Sequence, residues 1–120
     1  MILHMVKRDE WENAIRKGEY APASLESEGF IHCSTAAQVV ETANLFYRGQ
    51  SDLMIVCLEE GHLTAQLTYE PAPRIGDERA DALFPHIYGP LNLEAVGEVY
   101  EFPCDAEGRF VFPSALRVAP

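Results

Sequence analysis

The chain opens with an apolar run from Ile2 to Val6, which favours a strand. Polar residues follow, and Asp9 with Glu12 is typical of the first turn of a helix. Gly18 stands where such a helix would end, because glycine readily adopts the left-handed conformation of a helix C-terminus. The apolar positions at spacing i, i+3 and i+4, which predict the buried face of this helix, are Trp11, Ala14 and Ile15.

A short strand is predicted from Phe30 to Ser34, where β-branched and aromatic residues alternate with polar ones. This alternation places His32 and Ser34 on one face of the strand. Thr35 followed by Gln38 resembles a capping box, so a second helix is expected to begin there. The apolar stripe of that helix, which is predicted to end at Gly49, consists of Val39, Ala43, Phe46 and Tyr47.

Four further strands are predicted: Leu53 to Leu58, Gln66 to Glu70, Val96 to Phe102 and Arg109 to Phe112. The first is continuously apolar, as expected of a central strand covered on both faces. The last two are joined around Asp105 and Gly108. The stretch from Arg74 to Ala82 is charged and lacks an apolar period, so it is interpreted as a loop.

Together these elements predict one α+β domain over residues 1–120, with two principal helices. Regular alternation of strands and helices is absent after Gly49, which argues against a doubly wound nucleotide-binding fold. Neither a G-x-G-x-x-G nor a Walker-type phosphate loop occurs.

Charge and composition restrict the partners. The chain has 120 residues, with 9 basic and 19 acidic side chains and a net charge of −10. This charge disfavours nucleic acid as the main partner, because binding to phosphate backbones depends on clustered Lys and Arg. No apolar stretch approaches the roughly 20 residues of a membrane span. The three cysteines lack disulfide or zinc spacing, so reduced thiols and a cytoplasmic location are expected.

Three histidines stand inside segments that are otherwise mostly apolar: His4, His32 and His86. His86 lies in a stretch rich in proline and glycine that predicts a rigid turn. If the strands bring them together, the three rings line one cleft with Ser34 and Tyr88, and such a cleft can bind an anion, transfer protons or hold a metal. The alternative is that each ring is a buried group hydrogen-bonded to the backbone.

Three charged residues near the predicted loop are further candidates. Glu70 ends a strand and is interpreted as a carboxylate that faces a ligand, with a solvated surface residue as the alternative. Arg74 and Arg79 are candidates for a phosphate or carboxylate clamp, or else for surface ion pairs with neighbouring acidic residues. Cys33 points away from His32 and is interpreted as a small core residue.

Three motifs carry a resemblance to a known family. Ile2-Leu3-His4, Gly29-Phe30-Ile31-His32-Cys33-Ser34 and Leu83-Phe84-Pro85-His86-Ile87-Tyr88-Gly89-Pro90-Leu91 resemble domain-of-unknown-function family 952, over Met1 to about Pro113. That family looks like a compact relative of the ADP-ribosyltransferase-like superfamily. The resemblance implies a split, mainly antiparallel β fold whose cleft holds nicotinamide dinucleotide in the active relatives.

The same resemblance implies roles for individual residues. His4 matches a histidine that contacts ribose, and His32 falls in the motif that faces nicotinamide or acts as acid or base. His86 and Tyr88 belong to a motif peculiar to the family and would complete the pocket. Glu70 or Glu98 is the candidate for the late glutamate that orients the reacting ribose.

Three functions remain open at this point. The first is an enzyme, transferase or glycohydrolase, that acts on nicotinamide dinucleotide or a related ADP-ribose compound through His32, His86 and Glu70. The second is a small-molecule binding module that kept the cleft without the chemistry. The third is a metal site formed by the three histidines. Neither the substrate nor the oligomeric state follows from the sequence.

Overall fold

The computed structural model describes residues 1–71, 79 and 82–118, and it contains the strands and helices of an α+β fold. Its strands are β1 Ile2–Lys7, β2 Glu19–Tyr20, β3 Ile31–His32, β4 Leu53–Leu58, β5 Gln66–Pro71, β6 Leu83–Tyr88, β7 Leu91–Asn92 and β8 Val96–Glu101. Its helices are α1 Arg8–Lys17, α2 Ala23–Ser27 and α3 Val39–Phe46, with 3₁₀ turns at Glu60–His62, Leu93–Ala95 and Ser114–Val118. No helix in the described ranges is long and apolar enough to cross a membrane.

The strands form three sheets, in the orders β1-β4-β8, β3-β6-β5 and β2-β7, and every strand pair in the described residues is antiparallel. The first two sheets meet at one backbone bridge between Leu3 and Ser34. Each of these two residues donates its N–H to the carbonyl of the other at 2.8 Å. Beyond this bridge no further strand pairing joins the two sheets within the described residues, so the β structure is split there.

The central strand β4 divides the core into two clusters. Val56 and Leu58 face one side, where they belong to a cluster with Trp11 and Ala14 of α1. The alternate residues Leu53, Ile55 and Cys57 face the other side, in a cluster with Val39 and Ala43 of α3. This confirms the prediction of a strand buried on both faces, since residues alternate across a strand.

The first helix is confirmed, including its end at Gly18, whose φ of 81° closes the last turn. Trp11 and Ala14 are buried as predicted, but Ile15 is 52% exposed. At 100° per residue, Ile15 and Ala14 lie on opposite sides of Trp11. The buried stripe therefore extends toward Ala14, and the prediction for Ile15 is wrong.

The second predicted helix is present as α3, but it ends at Phe46 rather than at Gly49. The capping box is half formed, because the Gln38 side chain accepts a hydrogen bond from the Thr35 N–H at 3.0 Å. Val39 and Ala43 are fully buried, whereas Phe46 and Tyr47 are only partly buried.

The predicted strand from Arg109 to Phe112 does not form. The Phe110 N–H instead donates to Asn44 Oδ1 at 2.8 Å, and Asn44 Nδ2 donates to the Phe110 carbonyl at 3.1 Å. One side chain of α3 therefore satisfies the backbone groups that a strand partner would otherwise satisfy. The predicted turn is present, since Gly108 N–H donates to the Asp105 carbonyl at 3.0 Å.

The segment around His86 is the strand β6, so the prediction of a rigid turn there is wrong. β6 tolerates Pro85 because of the short length of β3. The Pro85 carbonyl accepts from the Cys33 N–H at 3.0 Å, so its nitrogen also faces the end of β3. The missing N–H falls opposite Cys33, just beyond the end of β3, so it removes one hydrogen bond at the end of the ladder and none from within it. The predicted strand from Phe30 to Ser34 shortens to Ile31–His32, because Ser34 pairs with Leu3 of β1 instead of continuing along β6.

We predict that Gly108→Ala destabilises the fold more than Gly18→Ala, by about 1 kcal/mol or more. Both glycines have a positive φ, which costs other residues about 1–2 kcal/mol. A Cβ at Gly108 would also lie 3.1 Å from the Gly49 nitrogen, whereas one at Gly18 meets nothing within 4 Å. Urea unfolding of both variants measures the difference, and equal losses of stability would contradict the predicted steric conflict.

Candidate functional site

The cleft contains a histidine held by a carboxylate. β5 and β6 pair with Thr68 opposite His86 and Glu70 opposite Phe84, so Glu70, His86 and Tyr88 share one face of their sheet. Glu70 Oε1 lies 2.7 Å from His86 Nδ1 and also accepts a hydrogen bond from the Tyr88 hydroxyl. His86 is 1% exposed. An ionised carboxylate only accepts, so His86 Nδ1 is the donor.

The second nitrogen of this buried ring, His86 Nε2, has no hydrogen-bond partner among the described residues. With the proton on Nδ1, the neutral ring presents a lone pair at Nε2. A carboxylate-held imidazole with a free second nitrogen is the arrangement that general bases use.

Glu70 titrates outside its usual range. The hydrogen bond from Tyr88, followed by that from His86, lowers the pKa of the Glu70 carboxyl. The same contact with Glu70 raises the pKa of the Tyr88 hydroxyl. Both shifts favour an ionised Glu70 beside a neutral Tyr88, which is the state that holds the proton on His86 Nδ1.

A second histidine–carboxylate pair lies beside the first. His32 stands opposite His86 in the pairing of β3 with β6, with ring centroids 5.5 Å apart. His32 Nε2 lies 2.9 Å from Oε2 of Glu28, which follows α2. Phe30 stacks on the His86 ring at 4.1 Å and contacts the edge of His32 at 4.7 Å. The Phe30 ring therefore fixes the relative positions of the two imidazoles.

The third histidine, His4, joins the two sheets through a hydrogen bond of its ring. His4 Nδ1 lies 2.6 Å from the His32 carbonyl, which can only accept, so Nδ1 donates. His4 Nε2 then accepts from the Tyr20 hydroxyl at 2.7 Å. Burial raises the pKa of Tyr20 and keeps it a neutral donor. Both nitrogens of His4 are therefore engaged within the protein.

Two cavities adjoin in the cleft and share Met5, His32 and Tyr47 in their walls. The inner cavity, of about 20 Å³, has room for one water molecule. The outer cavity, of about 380 Å³, is within the size range of small-molecule sites. Polar residues that line only the inner cavity are Ser34, Thr42, Arg79 and His86, and those that line only the outer cavity include His4, Lys7, Glu10, Tyr20, Glu28 and Gln50.

Arg79 brings a positive charge to the inner cavity. Its Nη1 donates to Glu41 Oε1 at 3.1 Å and to Thr42 Oγ1 at 2.9 Å. Its guanidinium carbon lies 4.4 Å from the centre of the Phe84 ring. The other clamp candidate, Arg74, and most of the predicted loop from Arg74 to Ala82 lie outside the described residues.

The remaining predicted residues lie in different places. Ser34 is buried in the bridge to Leu3 and lines the inner cavity. Cys33 is buried in the core as predicted, and burial raises the pKa of its thiol. Glu98 lies on β8 and lines a separate cavity beside Cys57. Of the two candidate glutamates, Glu70 is therefore the one that contacts a histidine of the cleft.

Sequence reasoning missed several residues of the cleft, among them Tyr20, Glu28, Phe30 and Gln50. The position of Phe30, two residues before His32, was a usable signal, since it predicts the same strand face. The other three come from loops or short elements, and local pattern does not indicate where their side chains meet the histidines.

The histidines do not form a metal centre in the part of the chain that the structure describes. No group of three His, Cys, Asp or Glu side chains there has a suitable geometry for an ion. The Nε2 atom of His4 is hydrogen-bonded to the Tyr20 hydroxyl, so its lone pair is not free to coordinate a metal ion. The geometry thus does not support the tri-histidine alternative.

Comparison with known proteins assigns the chain to a family. The model of a family described as protein of unknown function, DUF952, matches residues 5–99. The chain belongs to the DUF952 family. No functionally curated protein matches it.

Solved structures are similar to this DUF952 chain. The crystal structure of protein CC0527 from Caulobacter crescentus is 31% identical, with a TM-score of 0.84 over 98% of each chain. A double mutant of CC0527 gives 30% identity and a TM-score of 0.83 over the same share of each chain. The solution NMR structure of CC0527 has 33% sequence identity and a TM-score of 0.74, over 90% of this chain and 89% of that chain. The likeness extends over the whole DUF952 fold.

We predict that Tyr88→Phe raises the pKa of Glu70, because the Tyr88 hydrogen bond is the largest cause of its depression. A carboxyl whose pKa is lowered by folding stabilises the fold above its unfolded pKa, and this contribution is lost as pH falls through the folded pKa. Carbon-detected NMR titration of the carboxyl measures the shift.

Tyr69→Phe is the control. The Tyr69 hydroxyl donates a hydrogen bond to Glu60, so its removal should leave the Glu70 titration unchanged. If Glu70 titrates alike in Tyr88→Phe and the wild type, the Tyr88 bond does not cause the shift.

Proposed function

We propose that this protein hydrolyses the N-glycosidic bond of nicotinamide dinucleotide or a related ADP-ribose compound in the cleft. The observation that carries the proposal is the unpartnered Nε2 of His86, a residue that lines the inner cavity and whose Nδ1 is held by Glu70. The choice of substrate class follows the resemblance of the family that carries the three motifs to the ADP-ribosyltransferase-like superfamily.

His86 is the general base in this proposal. After a side chain that covers Nε2 moves, a water molecule from the inner cavity donates a proton to Nε2 while its oxygen forms a bond to the anomeric carbon of the ribose. The bond from that carbon to the pyridinium nitrogen breaks, and its electron pair stays on the nitrogen, so nicotinamide leaves as a neutral molecule. The Glu70 carboxylate then stabilises the imidazolium that has formed.

The outer cavity would hold the dinucleotide. Positive charge develops on the ribose ring as the glycosidic bond breaks, and a nearby carboxylate stabilises it. Glu28 supplies that carboxylate, since it lines the outer cavity and is held by His32. Lys7 in the outer cavity and Arg79 in the inner cavity offer cations for the phosphates of the ligand.

A binding module without catalysis is the second candidate. It is favoured by the engagement of both nitrogens of His4, the residue that the family resemblance assigns to ribose. The binding module is also favoured by the burial of His86 Nε2, because this atom has almost no accessible surface at which a reacting water molecule could bind. The two candidates differ in whether the dinucleotide is consumed.

We predict that Glu70→Gln lowers the rate of nicotinamide release by about 100-fold or more, with dinucleotide affinity nearly unchanged. The substitution keeps the size of the side chain but removes the charge that stabilises the imidazolium. Proton NMR of the dinucleotide over hours measures release, and line broadening of its signals measures binding.

Glu60→Gln is the matched control, because Glu60 bonds to Tyr69 outside both cavities and its replacement should leave turnover intact. Equal turnover of Glu70→Gln and the wild type would refute the proposed role of His86. Binding by the wild-type protein without release would establish the binding module in place of the enzyme.

A further inference from the structure

Two buried polar side-chain atoms lack a partner in the described part of the chain, His86 Nε2 and Gln50 Oε1. Folded proteins satisfy nearly all such atoms, so each exception calls for a physical reason. His86 lines the inner cavity and Gln50 lines the outer cavity. The proposed function explains the first atom but not the second.

Gln50 is held in place by its backbone. It follows Gly49, whose N–H donates to the Gly108 carbonyl at 2.9 Å. The Gln50 N–H donates to the Tyr47 carbonyl at 3.0 Å, which closes a turn after α3. This turn keeps the Gln50 amide at the wall of the outer cavity.

Carboxylates outnumber cations among the residues that line the outer cavity. Glu10 and Glu28 line the same cavity, which has one lysine, Lys7, in its wall. Hydrogen-bond acceptors in a cavity select ligand groups that carry N–H donors.

We infer that Gln50 is a specificity residue, whose amide oxygen accepts a hydrogen bond from the amino or carboxamide group of a planar ring in the ligand. This inference rests on the proposed function, since it names the part of the dinucleotide that the outer cavity recognises. Because Gln50 Oε1 and His86 Nε2 are both covered, a ligand reaches them after a side chain moves. Tyr47 is the side chain whose movement would open this route, since it lines both cavities.

The test compares nicotinamide dinucleotide with two analogues, one with nicotinic acid in place of nicotinamide and one with hypoxanthine in place of adenine. Each analogue replaces an exocyclic NH2 donor by oxygen; nicotinic acid then also carries a negative charge, and hypoxanthine gains an N–H on its ring. We expect the wild-type protein to bind one of them at least about 10-fold more weakly than the parent. Gln50→Met should lose this discrimination, because the thioether has similar length but is only a weak acceptor.

Gln66→Met is the matched control, because Gln66 is exposed on β5 and lines neither cavity. Calorimetric affinities for the three dinucleotides, measured with the three proteins, give the comparison. Discrimination that persists in Gln50→Met, or that is absent from the wild type, would overturn the inference.

A failure of the proposed function has a different signature. If no dinucleotide binds, nicotinamide and adenine are titrated alone against nicotinic acid and hypoxanthine, with the Gln50 side-chain amide followed by NMR. A preference for the amide- or amine-bearing ring that Gln50→Met abolishes supports the role of Gln50 even though the dinucleotide is excluded. Absence of any shift at Gln50 with all four compounds overturns that role as well.

Discussion

One pair of hydrogen bonds, between the backbones of Leu3 and Ser34, joins the two three-stranded sheets, and the cleft depends on it. At the next residue of β1 the ladder is replaced by a side chain, since His4 Nδ1 donates to the His32 carbonyl. Beyond this point no strand pairing joins the two sheets in the described ranges. The inner and outer cavities are lined by residues of both sheets.

The register of the second sheet ties the core to the cleft. Ile31 and Ile87 pair with each other and are fully buried in the core. Their neighbours His32 and His86 also pair and point to the opposite face, toward the cavities. A slip of one residue would exchange the two sets, placing isoleucine at the cavities and histidine in the apolar core. Hydrophobic packing therefore stabilises the alignment that brings the two imidazoles together.

The same hydrogen-bonding rule gives two histidines different roles. In His4 and in His86 the Nδ1 proton is held by an oxygen that can only accept. The Tyr20 hydroxyl then satisfies Nε2 of His4, which makes that ring part of the framework. Nothing in the described residues satisfies Nε2 of His86, so that ring retains a capacity to bind or to accept a proton. The partner of Nδ1 thus sets the tautomer of each ring. The presence or absence of a partner at Nε2 decides whether that nitrogen can bind a ligand or accept a proton.

Local pattern in the sequence determined the first helix, the buried strand β4 and the presence of three histidines in mostly apolar segments, because helical and strand periods depend on neighbouring residues only. Pairing between distant segments was decided by the tertiary structure, and it set Pro85 within a strand and Glu70 against His86. Asn44 likewise replaced the strand partner of Phe110 through a contact across the fold. Such contacts depend on strand order and register, which local propensity does not encode, so the sequence indicated which side chains carry chemistry while the fold selected their partners.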